Sequence, residues 1–103
     1  MKIGPAIKQI RKQIGLTQTQ LSAATGISQT SLSKIESGES TPAKKNLEKI
    51  AAALDVPTSV IYIIGMEDAD VPTKRKKMYS LLFPTIKKLA LDIVGEEGKI
   101  AKD

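Results

Sequence analysis

Between residues 26 and 38 the chain reads GISQTSLSKIESG. At about 100° per residue on a helix, Thr30, Lys34 and Ser37 fall opposite Leu32 and Ile35, with Gln29 and Ser33 on one flank. The outward face therefore offers amides and hydroxyls, and Lys34 is its one charge. A helix that meets only water gains more from Glu and Lys pairs, which form helices better than Ser or Thr. Gln, Ser, Thr and Lys can instead hydrogen-bond base edges and phosphates without repelling them. An ordinary hydroxyl-rich surface helix has the same composition, so the distinction rests on what surrounds it.

Other chemistry is poorly supplied. The 103 residues contain no cysteine and no histidine, which removes disulfides, thiolate nucleophiles, most zinc sites and the commonest general base. Neither catalysis nor a metal or cofactor is expected. With 41% apolar and 26% charged residues the chain has the composition of a folded globular protein, and its length suits one compact domain with an appendage. The net charge of +5 suits a polyanionic partner. Its distribution says more: residues 1–66 carry eight bases against four acids, residues 67–73 three acids alone, and residues 74–103 eight bases against four acids. The N-terminus lacks the apolar run of a signal peptide, and the longest apolar stretch, Val60 to Met66, is too short to span a bilayer. The expectation is a cytoplasmic, nucleoid-associated protein without membrane contact.

The elements that position the polar helix follow from apolar spacing and caps. Ile3, Ile7, Ile10 and Ile14 predict a first helix stopped by Gly15. Thr17 to Gln20 forms a capping box for a second, two-turn helix, with Leu21 and Ala24 inward and Gly26 as its stop. Ser28 caps the third helix, which Gly38 ends. Ser40 and Thr41 followed by Pro42 predict the start of a fourth, with Leu47, Ile50, Ala51 and Leu54 inward. A fifth covers Thr58 to Ile64, with Val60, Ile61 and Ile64 inward and Gly65 ending it. The acidic residues 67–73 read as a linker between a domain at 1–66 and a helical extension at 74–103. In that extension Thr73 is the expected cap, Pro84 a kink or a new start, and Gly95 the end.

Two short helices joined by a glycine-containing turn meet the description of a helix-turn-helix, whose second helix enters a DNA groove. The chain here resembles the Cro and phage-repressor-like (XRE) family of regulators. The resemblance spans about residues 7–62, through "TQTQLS", "GISQTSLSKIESG", a "TP" before the fourth helix and "LEKIAAALDV". It implies an all-α, five-helix lambda-repressor-like domain with helix three as the recognition helix. Carried over by position, it implies base contacts from Gln29, Thr30 and Lys34, with Ser31 touching a base or a phosphate. Gln29 suits adenine, and Lys34 suits guanine O6 and N7. It also implies phosphate contacts from Gln18, Ser37 and the loop holding Ser40. Lys44 and Lys45 fit either phosphate contact or a solvated face. Glu39 stands where the family often has basic residues, and a carboxylate there repels phosphate unless it turns away. Ser22 replaces a usual alanine.

Glu36 falls near the Leu32 and Ile35 side, where an unpaired carboxylate is costly, so it needs a cation. Arg11 lies on the flank of the first helix's apolar face, and similar proteins pair an Arg and a Glu at these positions. No second acid, metal set or glycine-rich loop supports a catalytic role for Glu36.

One recognition helix touches few bases, so similar proteins bind two half-sites as symmetric dimers. Ile86, Leu89, Ala90, Ile93 and Val94 form an apolar stripe that, with Leu82, supplies the expected homodimer interface, unless this stripe packs back on its own domain. The basic run TKRKKM at 73–78 reads first as a solvated helix start, then as an arm adding phosphate contacts, and last as a membrane-surface segment. The resulting expectation is a double-stranded-DNA-binding transcriptional regulator of the repressor type. A second expectation, from another class, is a protein-interaction module of antitoxin or co-activator type, whose C-terminal helix holds a partner protein.

Overall fold

The computed structural model describes the backbone of residues 1–100 and the side chains of residues 1–94. It is all-helical, with no strand among the described residues: α1 Ile3–Gln13, α2 Gln18–Thr25, α3 Gln29–Glu36, α4 Lys44–Leu54, α5 Thr58–Gly65 and α6 Lys76–Ile100. The last three residues of the expected 74–103 extension lie outside the described residues.

Helices of eight residues do not persist alone in water, so α2 and α3 depend on caps and on shared burial. At the start of α2 the Thr17 hydroxyl accepts the Gln20 N–H at 3.1 Å, while the Gln20 side chain accepts the Thr17 N–H at 2.9 Å. Ser28 caps α3 by accepting the Ser31 N–H at 3.1 Å. Ile7 and Ile10 of α1, Leu21 of α2, Leu32 of α3, Ile50 and Leu54 of α4 and Ile61 of α5 are completely enclosed. Each such side chain contributes about 1.5–3 kcal/mol by leaving water. Where α1 crosses α3, a Cβ on Gly4 would collide with the Ile35 carbonyl oxygen. Only glycine allows α3 to lie that close to α1.

Four local expectations are corrected. Ala24 is exposed, and Thr25 takes the buried position in α2. Its hydroxyl donates to the Leu21 carbonyl at 2.8 Å and accepts the Ile27 N–H at 3.2 Å, so a polar side chain is buried without an unmet bond. The usual-alanine position has a similar explanation, because the Ser22 hydroxyl donates to the Ile27 carbonyl at 2.6 Å. Next, α4 starts at Lys44 with Ala43 as its cap residue, rather than at Pro42 behind Ser40 or Thr41. The Ser40 N–H donates to the Lys34 carbonyl at 3.1 Å, which holds that stretch to the end of α3. Third, Gly65 is the last residue within α5 rather than a stop beyond it.

The fourth correction concerns α6. Thr73 opens a 3-10 turn without capping the helix, and α6 then runs through Pro84 and past Gly95. Pro84 removes one backbone donor and disfavours helical geometry at Phe83. Tertiary contact overrides this, because α6 lies along α1 and α5 and is buried on both sides of the proline, at Phe83 and at Val94. Val94 joins the domain core, with Ala90 and Leu91 packed beside it.

The acidic stretch between α5 and α6 is folded into two 3-10 turns, Asp68–Asp70 and Thr73–Arg75. The Met1 ammonium donates to Glu67 Oε1 and Asp70 Oδ1, both at 3.0 Å. The hydrogen bond to Asp70, then that to Glu67, raises this ammonium above its ordinary pKa. Asp70 is held below the usual carboxylate range, first by the ammonium and then by the Glu67 N–H. No helix among the described residues is long and apolar enough to cross a membrane.

Candidate nucleic-acid interface

Three buried residues fix the inner face of α3: Leu32, Ile35 and Glu36. Glu36 is only 4% exposed and faces Arg11, itself 8% exposed. The pair is bidentate, with Arg11 Nε donating to Oε2 at 2.8 Å and Nη2 donating to Oε1 at 3.0 Å. A carboxylate this deep is tolerable because both oxygens meet a fixed cation. The third guanidinium nitrogen, Nη1, donates to the Leu16 carbonyl at 2.8 Å, and Gln18 Nε2 donates to Glu36 Oε1 at 3.3 Å. One ionic network thus ties α1, the loop before α2, the first residue of α2 and the last residue of α3. Glu36 is enclosed by donors rather than poised toward solvent, which fits a structural role.

On its other side α3 is open. Gln18, Gln29, Thr30, Ser33, Lys34 and Glu39 line one shallow depression of about 520 Å³. Gln29, Thr30 and Lys34 of the predicted base-contacting set therefore come together, with Gln18 of the phosphate set beside them. Ser31 is placed differently: it sits at the α3 cap, exposed, and its hydroxyl accepts from Ser28 Oγ at 2.9 Å. Ser37 and Ser40 line a separate groove of about 470 Å³ beside the start of α1, with Gly38 between them. The Ser37 hydroxyl donates to the Lys34 carbonyl at 3.0 Å. Lys44 is exposed at the first turn of α4.

Three residues outside the predicted contact set belong to this surface. Ser33 and Glu39 line the depression, and the Thr19 hydroxyl of α2 donates to Gln29 Oε1 at 3.4 Å. Thr19 thereby steers the amide of Gln29 from a neighbouring helix. Its sequence signal is weak, since it stands inside the capping box, where Thr17 and Gln20 do the capping. Only the packing of α2 on α3 brings it to Gln29.

The stripe expected to join two copies is exposed in the single chain. Leu82, Ile86, Leu89 and Ile93 retain 51%, 40%, 55% and 58% of their accessible surface. The same helix buries Val94 in the domain core, with Ala90 and Leu91 packed against that core, so α6 packs back along one edge of the stripe. Ile86, Leu89 and Ile93 form one wall of an apolar groove of about 420 Å³, with Val56, Val60 and Ile63 opposite.

The helix-turn-helix family matches residues 7–61, which takes in most of α1, all of α2 to α4 and half of α5. Over 56 residues the chain is 48% identical to the cryptic phage CTXphi transcriptional repressor RstR of Vibrio cholerae, covering 54% of this chain and 50% of the relative. It is 40% identical over 60 residues to the ImmF control region 10 kDa protein of Bacillus phage phi105, covering 58% and 67%. It is 36% identical over 81 residues to the immunity repressor protein of the same phage, covering 75% and 56%. The chain thus spans about half to two thirds of the length of these relatives. A match over more than half of the chain, on a fold whose second and third helices meet across a tight turn and leave a polar face free, makes this chain a member of the helix-turn-helix family, of the Cro and phage-repressor-like (XRE) kind.

Proposed function

We propose that this protein is a sequence-specific, double-stranded-DNA-binding transcriptional regulator of the repressor type, and not an enzyme. The observation that carries the proposal is the open depression on α3, where Gln29, Thr30 and Lys34 stand together above an inner face locked by Arg11 and Glu36. Two of the relatives above are named repressors, which agrees with it. In this reading α3 enters the major groove, and Gln29, Thr30 and Lys34 address base edges. Ser31 adds a base or phosphate contact near the helix start. Gln18, Ser37, Ser40 and Lys44 hold the phosphate backbone on either side, fixing register without reading sequence. Occupancy then blocks polymerase at a nearby promoter. In this reading the protein acts in the cytoplasm, at the nucleoid.

The acting form is a homodimer joined through Leu82, Ile86, Leu89 and Ile93, whose exposure supports an interface between copies. Two half-sites about 34–36 Å apart would then each receive one α3. Binding-site selection on random duplexes, followed by titration at several salt concentrations, tests the whole proposal. A palindromic preferred site and a steep loss of affinity with salt are expected. Absence of sequence preference together with a flat salt response would sink it.

The apolar groove beside α6 supports a second reading, a module whose C-terminal helix holds a different protein. A stable one-to-one complex with an unrelated small protein, in place of a homodimer, would favour it.

A further inference from the structure

Glu39 is the one acidic residue among those lining the α3 depression. Its position follows from the turn that ends α3. Gly38 adopts φ +84, a left-handed conformation that favours glycine, and donates its N–H to the Ile35 carbonyl at 3.1 Å. Two residues later the Ser40 N–H returns to the Lys34 carbonyl at 3.1 Å. The chain is strapped back over the last turn of α3, and Glu39 at the bend joins Gln29, Thr30, Ser33 and Lys34 around one depression.

Among the described residues no side chain pairs with the Glu39 carboxylate, which water hydrates in the free protein. Glu39 is exposed, takes part in no ion pair among the described residues, and lies just past the C-terminus of α3, the negative end of the helix dipole. Toward a phosphate backbone it is repulsive. A DNA base offers a donor that can replace water, because cytosine presents an N4 amino group in the major groove and carboxylates accept from it. Resting on the proposal that α3 reads the major groove, we infer that Glu39 is a specificity-determining residue that accepts from the amino group of a cytosine beside the bases read by Gln29 and Lys34. The carboxylate excludes bases that offer only acceptors at that step, and its repulsion of phosphate weakens binding everywhere else.

Binding-site selection with the full chain and its Glu39→Ala and Glu39→Gln variants tests this. Glu39 is exposed and unpaired, so both variants keep the fold. The wild type should require a C·G pair at one fixed position. Glu39→Ala should lose about tenfold to a hundredfold of discrimination at that position alone. Glu39→Gln should shift the preference there toward adenine, which an amide can hold bidentately. Unchanged preferences in Glu39→Ala, or an equal gain in affinity for every duplex, would overturn the assignment and leave α3 reading intact. A wild type without any preferred sequence would overturn the DNA proposal and this inference with it.

Discussion

Helices α3 and α6 each bury one face on the same small domain, and they differ in what they leave outside. α3 hides two aliphatic residues and a carboxylate that Arg11 neutralises, and presents Gln, Thr, Ser and Lys side chains. α6 hides Phe83 and Val94 and presents Leu81, at 73% the most exposed large apolar residue among those described, with Leu82, Ile86, Leu89 and Ile93. The contrast separates two kinds of partner. Uncharged donors and acceptors around one lysine suit base edges and phosphates. A contiguous aliphatic stripe gains only by leaving water against another apolar surface.

The contrast breaks most severely if the buried pair under α3 is broken. Glu36→Ala leaves the Arg11 guanidinium buried without its anion, and should cost about 3–5 kcal/mol of stability by denaturant unfolding. Replacing both partners with apolar residues, as Arg11→Met with Glu36→Leu, should recover much of that loss. Failure to recover would show that the bonds to Leu16 and Gln18 matter more than the pair itself.

A charge on the other helix should act on assembly rather than folding. Leu89→Glu at a 55% exposed position should leave helix content intact and turn a dimer into a monomer in sedimentation. Affinity for a palindromic site should fall with it, while single half-sites are bound as before. A dimer that survives Leu89→Glu would place the interface elsewhere.

Finer effects belong to the α3 surface. Gln29→Ala should relax preference at one base position by about 1–3 kcal/mol. Thr19→Val should produce a smaller loss at that same position, because it releases the Gln29 amide without removing it. A loss at a different position would show that Thr19 contacts DNA by itself.

The smallest effect concerns the clasp between the Met1 ammonium and the turn before α6. The folded ammonium pKa is raised, so its contribution is complete below its unfolded pKa and is lost as pH rises through the folded one. Asp70 is lowered, so its contribution is present above its unfolded pKa and is lost as pH falls through the folded one. Amide exchange in residues 67–75 should be slowest between these limits. A pH-independent rate, after correction for intrinsic exchange, would show that the clasp does not hold the segment.

Much of the helix-turn-helix domain is legible from local pattern. The isoleucine spacing of α1, the Thr17 to Gln20 capping box and the Ser28 cap are short-range signals, and the structure forms them where the sequence points. The polar face of α3 is legible for the same reason, since helical periodicity alone divides Leu32 and Ile35 from Gln29, Thr30 and Lys34. Signals fail where a distant surface decides. Pro84 and Gly95 are strong local breakers, yet α6 continues because it is buried at Phe83 and Val94. Thr25 outcompetes Ala24 for the core because its hydroxyl finds partners that only the folded turn supplies.

Residue type and periodicity alone thus determined that this chain would be helical, that helix three would bury apolar residues on one side, and that its free side would be polar and nearly uncharged. Tertiary structure alone decided which polar groups share that side. Thr19 reaches Gln29 because α2 packs on α3, and Glu39 joins Gln29 around one depression because Gly38 folds the chain back over the end of α3. Contacts between elements depend on crossing geometry and turn conformation, which no one-dimensional spacing carries.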